Sequence, residues 1–152
     1  MSSANPPSFL KVLSLREYEI LKAASQRITP QAGEIPGLDL AQKIDTTLAK
    51  VSESLAREFK LLLLVFEYGA PLLGLSLKTF TRMSPSEKDR YLSGWERSKL
   101  PFKRMGFQAI KRSTLGAYYG SEESWPGIGY RGPWLDKGYP YDYLGKEIQH
   151  PN

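Results

Sequence analysis

"KLLLLVFEYG", residues 60–69, decides the fold class of this chain. Read as a strand, it is a buried run that needs neighbours in a sheet. Read as a helix, it is a segment covered on several sides. Two facts favour the helix. Leucine, a strong helix former, outnumbers the β-branched residues, of which Val65 is the one example. No neighbouring segment has the alternation of a second strand. The spacing therefore predicts a helix over about 56–68. Its apolar residues lie nearly all round from Phe59 to Phe66, which places it in the middle of a bundle.

Working outward toward the N-terminus, Leu40, Ile44, Leu48, Val51 and Leu55 advance by four, four, three and four, a helical stripe starting near Leu38 or Asp39. Before it, "TPQAGEIPG" is a loop and Pro30 stops an earlier helix. That first helix opens at Ser14, where "SLRE" is a capping box with Glu17 at the third helical position. Ile20, Leu21, Ala24 and Ile28 form its apolar face. Residues 1–12 contain "NPP" without periodicity and read as an extended arm.

Toward the C-terminus, "GAPLLG" breaks the pattern, and a short helical turn is expected over 75–82. A second capping box follows, with Ser84 as cap, Pro85 at the first helical position and Glu87 at the third. Tyr91, Leu92 and Trp95 form the buried face of that helix. Pro101 cannot sit deep in a helix, so a fifth starts there and runs to Tyr119, with Gly120 as its stop. After Gly120 the periodicity vanishes. Eight of the eighteen aromatic residues lie between Tyr118 and Tyr143, interleaved with glycine and proline. The expected architecture is all-α: an arm over 1–12, a bundle of about five helices over 13–120, and an irregular aromatic, Gly/Pro-rich tail over 121–152.

Composition narrows the chemistry. The chain has 152 residues, the size of one domain. It has no cysteine, which excludes a thiol nucleophile, a thiolate metal site and disulfides. Its one histidine is His150, beside the C-terminal end, so a histidine-centred metal site or triad has little material. Asp39, Asp45, Glu87 and Asp89 are acids at helix starts or on polar faces, where they offset the helix dipole, and none is assigned catalysis. The chain is not expected to be an enzyme.

"WPGIGYRGPW", residues 125–134, contains Gly127-x-Gly129-x-x-Gly132, the letters of a dinucleotide fingerprint, with Glu147 twenty residues past the first glycine. That motif works only between a strand and a helix whose N-terminus faces the pyrophosphate. Ser124-Trp125-Pro126 precedes it and "LDKGYPYDYLG" follows, which is the wrong context. No cofactor is expected in this chain. Its rings suit an interface instead: Trp125, Tyr130, Trp134, Tyr139 and Tyr141 are candidate partner contacts. Trp125 and Tyr130 are near enough to lie on the bundle or on a partner; the rings beyond are given to a partner.

Formal charge is +5, with the excess in residues 1–120; the tail carries 3 basic and 5 acidic side chains. "ERSKLPFKRMGFQAIKRS", residues 96–113, is a basic stretch. A solvated helix face accounts for it as well as an acidic partner does. Arg97 and Arg104, together with Trp95, complete the partner-contact candidates. The alternative reading is a stand-alone basic helical protein binding nucleic acid or an acidic protein. Glu96 and the acidic tail make nucleic acid the weaker of those two. The longest apolar run, "LLLLVF", is too short for the ~20 residues of a membrane span. No signal segment is visible near the start, which points to the cytoplasm, with export only through a partner's signal or a trimmed one.

Three blocks in order resemble the family named after gluconate 2-dehydrogenase subunit 3. "LSLREYEILKAASQRITP", Leu13 to Pro30, is similar to that family's opening helix. "FTRMSPSEKDRYLSGWERSKLPFKRMGFQAIK", Phe80 to Lys111, is similar to its middle block, with a Ser-Pro-x-Glu start and Leu-x-x-Trp-x-x-Ser. "YYGSEESWPGIGYRGPW", Tyr118 to Trp134, is similar to its ending. The resemblance implies an accessory subunit of a large FAD-dependent dehydrogenase of the glucose–methanol–choline class, acting on an alcohol, sugar or steroid. It implies a role in the partner's folding and solubility, and it allows a further electron-transfer subunit. FAD would reside in the partner. The family's twin-arginine export signal has no counterpart here.

Overall fold

A computed structural model describes residues 8–72 and 76–132. All regular structure among them is helical. Five α-helices follow one another: α1 (Leu15–Ile28), α2 (Leu40–Leu48), α3 (Glu53–Leu72), α4 (Pro85–Glu96) and α5 (Pro101–Tyr119). Short 3₁₀ turns lie at Pro30–Glu34, Phe80–Arg82, Glu122–Ser124 and Pro126–Ile128. The expected turn over 75–82 is thus confined to its last residues.

Local chemistry sets most boundaries. Both capping boxes form: Ser14 accepts from the Glu17 N–H while Glu17 accepts from the Ser14 N–H, and Ser84 and Glu87 do the same. Pro85 and Pro101 occupy first-turn positions, where their missing N–H is not needed. The stripe from Leu40 to Leu55 is not one helix. Lys50 and Val51 donate to Thr47 and Leu48 carbonyls in a turn, and Ser52 accepts from the Leu55 N–H as α3 begins. The chain changes direction there, so Val51 and Leu55 come out on the surface.

The centre of the bundle is α1, which packs against each of the other four helices. Leu13, Ile20, Leu21 and Ala24 are fully buried, and the Ser25 hydroxyl meets Thr114 of α5 at 3.2 Å inside the core. The expectation that α3 sits in the middle is overturned. Its Leu63, Phe66 and Ala70 are buried, but its outer face is open to solvent. A second core layer joins α3 to α4, where Phe66 packs edge-on against Phe80, Tyr91 and Trp95 at 4.6–5.2 Å. Trp95 fits because two helices approach it with glycine. A Cβ on Gly106 would come within 2.6 Å of Leu62 and 3.1 Å of the Trp95 ring, and one on Gly69 within 2.8 Å of the Tyr91 hydroxyl.

Three buried carboxylates fasten the pieces together. Asp45 of α2 accepts from the N–H groups of Lys11, Val12 and Leu13 at 2.6–2.9 Å, which clamps the segment entering α1. Glu67 of α3 takes Arg16 of α1, and both the hydroxyl and the N–H of Thr81. Glu17 adds Lys60 of α3 at 3.6 Å to its capping role. Each carboxylate is buried together with donors, as a buried polar group requires.

Candidate functional site

The acids at the helix starts and polar faces are all engaged in holding structure. Asp39 caps α2 through the Gln42 N–H, and also receives the Tyr18 hydroxyl at 2.5 Å and Lys22 at 3.4 Å. Burial would raise its pKa, but those three partners together hold it below the usual value. The Ser84 N–H, with Lys78, draws Glu87 down to about 2. Arg27 grips Asp89 with two bonds at 2.6–2.8 Å and lowers its pKa. Among the described residues no group of three metal-ligating side chains converges, and no helix is long and apolar enough to cross a membrane.

The aromatic candidates separate. Trp95 is only 2% exposed and belongs to the core, which removes it as a direct partner contact. Tyr91 beside it is lifted to about 12 by burial. Trp125 is half-buried: its indole donates to the Tyr119 carbonyl at 2.9 Å, and its ring meets Tyr130 edge-on at 5.0 Å. This pair folds back onto the end of α5, with Tyr130 partly open. Trp134, Tyr139 and Tyr141 lie outside the described residues. The glycine fingerprint is entered from a 3₁₀ turn rather than from a strand. Gly129, at φ +70°, reverses the chain so that the Tyr130 N–H reaches the Trp125 carbonyl at 3.0 Å.

The basic stretch is partly committed inside the fold. Arg104 donates to the Ser98 carbonyl at 2.6 Å, and Lys111 pairs with Glu96 at 3.1 Å. Lys103 lies over the Trp95 ring and Lys111 over Phe107. Arg97 stands exposed at the end of α4.

A different surface stands out, and it was not among the sequence candidates. On the outer face of α3, Leu61, Val65, Tyr68 and Leu72 are 61%, 43%, 40% and 79% exposed. Their spacing of four, three and four is the seam by which one helix packs on another. At the start of α5, Leu100, Phe102 and Met105 are exposed as well. Gly106, next to Met105, meets Leu62, next to Leu61, where α5 approaches α3. Single exposed apolar residues need no explanation, but a run along one helix face does. The signal was present in the sequence: a helix apolar nearly all round has more apolar surface than one core face absorbs.

Compared with known family models, curated proteins and solved structures, the chain matches none.

Proposed function

We propose that this chain is a non-catalytic accessory subunit. It binds a large FAD-dependent dehydrogenase of the glucose–methanol–choline class, stabilises it and aids its folding, with FAD and the alcohol, sugar or steroid chemistry in that partner. The observation that carries the reading is the exposed stripe Leu61–Val65–Tyr68–Leu72 on α3. Left in water, such a face is unfavourable by roughly 25 cal/mol per Å² of apolar surface. A partner that covers it recovers this energy and excludes water from the seam. The three sequence blocks that resemble the accessory-subunit family suggest which kind of partner. Phe102 and Met105 extend the contact at the α5 side, and Arg97 and Tyr130 are rim contacts.

The test is co-expression with a flavoprotein dehydrogenase of that class from the same organism, comparing the native chain with L61E/V65E/L72E. The expected result is a loss of co-purification and of yellow, active partner. Circular dichroism of the isolated variant should still show a cooperative melt like the native one, because none of the three side chains is in the core. Undiminished recovery of active partner with the triple variant would sink the assignment of this face.

A further inference from the structure

Residues 97–105 link the end of α4 to the start of α5, and none of them is buried. Three are large apolar side chains: Leu100, Phe102 and Met105, exposed by 48%, 54% and 72%. Four are cations: Arg97, Lys99, Lys103 and Arg104. Among the described residues none of the four pairs with a carboxylate. The acid nearest in sequence, Glu96, is held by Lys111 at 3.1 Å, and no other follows until Glu122. The start of α5 adds to this positive field. Unlike α1 and α4, it has no acid in its first turn and no side-chain cap, so its dipole is uncompensated.

Cations and apolar side chains are interleaved here rather than segregated. Phe102 and Met105 stand three apart on one face of α5, with Leu100 just ahead of them. Lys103 lies over the Trp95 ring, which Phe102 meets edge-on at 6.4 Å, and Arg104 folds back on the Ser98 carbonyl. Both cations therefore stay beside the apolar group. The core of a protein–protein interface is depleted of lysine, because the ammonium group must be stripped of water. A row of nucleic-acid phosphates pairs with the cations but offers nothing apolar to Leu100 and Met105. The boundary of an anionic bilayer satisfies both sets at once. Apolar side chains enter it by ~5–10 Å, while lysine and arginine stems reach back to the headgroup phosphates. Charge complementarity thus selects an anionic lipid surface.

We infer that the α4–α5 turn is a docking site for an anionic lipid bilayer, with Leu100, Phe102 and Met105 in the acyl boundary and Arg97, Lys99, Lys103 and Arg104 on the headgroup phosphates. The contact lies on the membrane and does not cross it, in keeping with the absence of a spanning helix among the described residues. Each cation near an anionic surface raises the binding constant about fivefold, so four favour anionic over neutral lipid by roughly a few hundredfold. The inference goes beyond the partner reading and does not rest on it. The α3 stripe takes no part, and Phe102 and Met105, at the edge of that contact, serve partner and bilayer in turn.

The test sediments the full-length chain with vesicles of phosphatidylcholine alone, and of phosphatidylcholine and phosphatidylglycerol in equal parts. Binding is expected to the anionic vesicles and not to the neutral ones. R97Q/K99Q, which removes two exposed cations, should weaken it about 25-fold. The chain has no cysteine, so Phe102→Cys gives one site for an environment-sensitive fluorophore, whose emission should shift to the blue on the anionic vesicles. Circular dichroism melts like the native one show that each variant is folded. L61E/V65E/L72E should bind vesicles as the native chain does, so that failure of the α3 face as a partner contact and failure of this site are told apart. Several outcomes overturn the inference: no binding, or equal binding to both kinds of vesicle; native binding by R97Q/K99Q; and a fluorophore whose emission stays that of water. Loss of binding in L61E/V65E/L72E would move the contact to α3 and overturn it too. So would tighter binding to duplex DNA or polyglutamate than to the anionic vesicles at the same salt.

Discussion

Helix α1 exposes Arg16, Glu19 and Lys22 along one side, and yet it packs against all four other helices. Helix α3 is the most apolar of the five, and yet it leaves Leu61, Val65, Tyr68 and Leu72 to solvent. The difference shows that total apolar content does not rank helices by centrality. A central helix needs a narrow apolar face touched by many neighbours, plus polar groups that find partners: Arg16 on Glu67, and Ser25 on Thr114. A helix with apolar residues left over has them for another surface. The comparison can be broken most directly by truncating one leucine on each helix. Leu21→Ala in the fully buried face of α1 is expected to cost about 2–5 kcal/mol, because a cavity adds to the lost burial. Leu61→Ala should stay within about 0.5 kcal/mol in the isolated chain. Urea titration of both checks this; equal losses would mean the α3 face is covered in the free protein.

The next largest effect tests how closely α3 and α5 meet. Gly106→Ala places a methyl against Leu62 and the Trp95 ring, where one side chain can shift and the other is locked among Phe66 and Tyr91. Overpacking of this kind costs about 1–3 kcal/mol. The helix propensity of alanine returns up to about 1 kcal/mol of that. A net loss in urea is expected. Gly116→Ala on the same helix meets nothing and should stabilise. If both substitutions stabilise, the α3–α5 approach is looser than described.

What was readable in advance was what is local. Ser14 with Glu17, and Ser84 with Glu87, are separated by three residues, so both halves of each cap are visible in one short string. Pro85, Pro101 and Gly120 act on their own turns. What was not readable depends on residues far apart. Asp45 clamps N–H groups more than thirty positions earlier, and Glu67 joins Arg16 to Thr81 across three elements. Periodicity cannot anticipate these, nor the turn at Lys50–Val51, since Leu40 to Leu55 keeps helical spacing through it. The candidate surface was half readable. The excess of apolar residues on α3 is a matter of sequence, but which of them face outward depends on where α1 and α4 pack.

Tyr91 sharpens the same point for the α3–α4 layer. Its hydroxyl donates to the Phe66 carbonyl at 2.8 Å, and burial raises its pKa to about 12. A folded-state pKa above the unfolded value of 10.0 means the contribution is complete below pH 10 and is lost as pH rises toward about 12. Tyr91→Phe should cost about 1 kcal/mol at neutral pH, for the lost hydrogen bond. The gap between the native chain and the variant should narrow across that alkaline window. A gap that stays constant there would show that the Tyr91 proton is not coupled to folding.

The smallest effect belongs to the contact between α1 and the start of α2. Asn can cap a helix nearly as well as Asp, so Asp39→Asn preserves the cap and removes only the charge. What it reads is therefore the bond from Tyr18 and the attraction of Lys22, both on α1. The site is partly open to solvent, so the difference should be under about 1 kcal/mol. Its sign with pH is the reverse of that for Tyr91. The Asp39 pKa is depressed on folding, so its contribution is present above the unfolded value of 3.8 and is lost as pH falls through the folded one. Urea midpoints of the native chain and Asp39→Asn should differ at neutral pH and converge in acid. Because Lys22 sits on the polar side of α1, added salt should shrink the neutral-pH difference as well, leaving the Tyr18 bond as the residue of the effect. A difference that persists unchanged in acid would mean that Tyr18 and Lys22 do not respond to the charge on Asp39, and that α1 holds α2 through Leu21, Ile44 and the rest of the apolar contact alone.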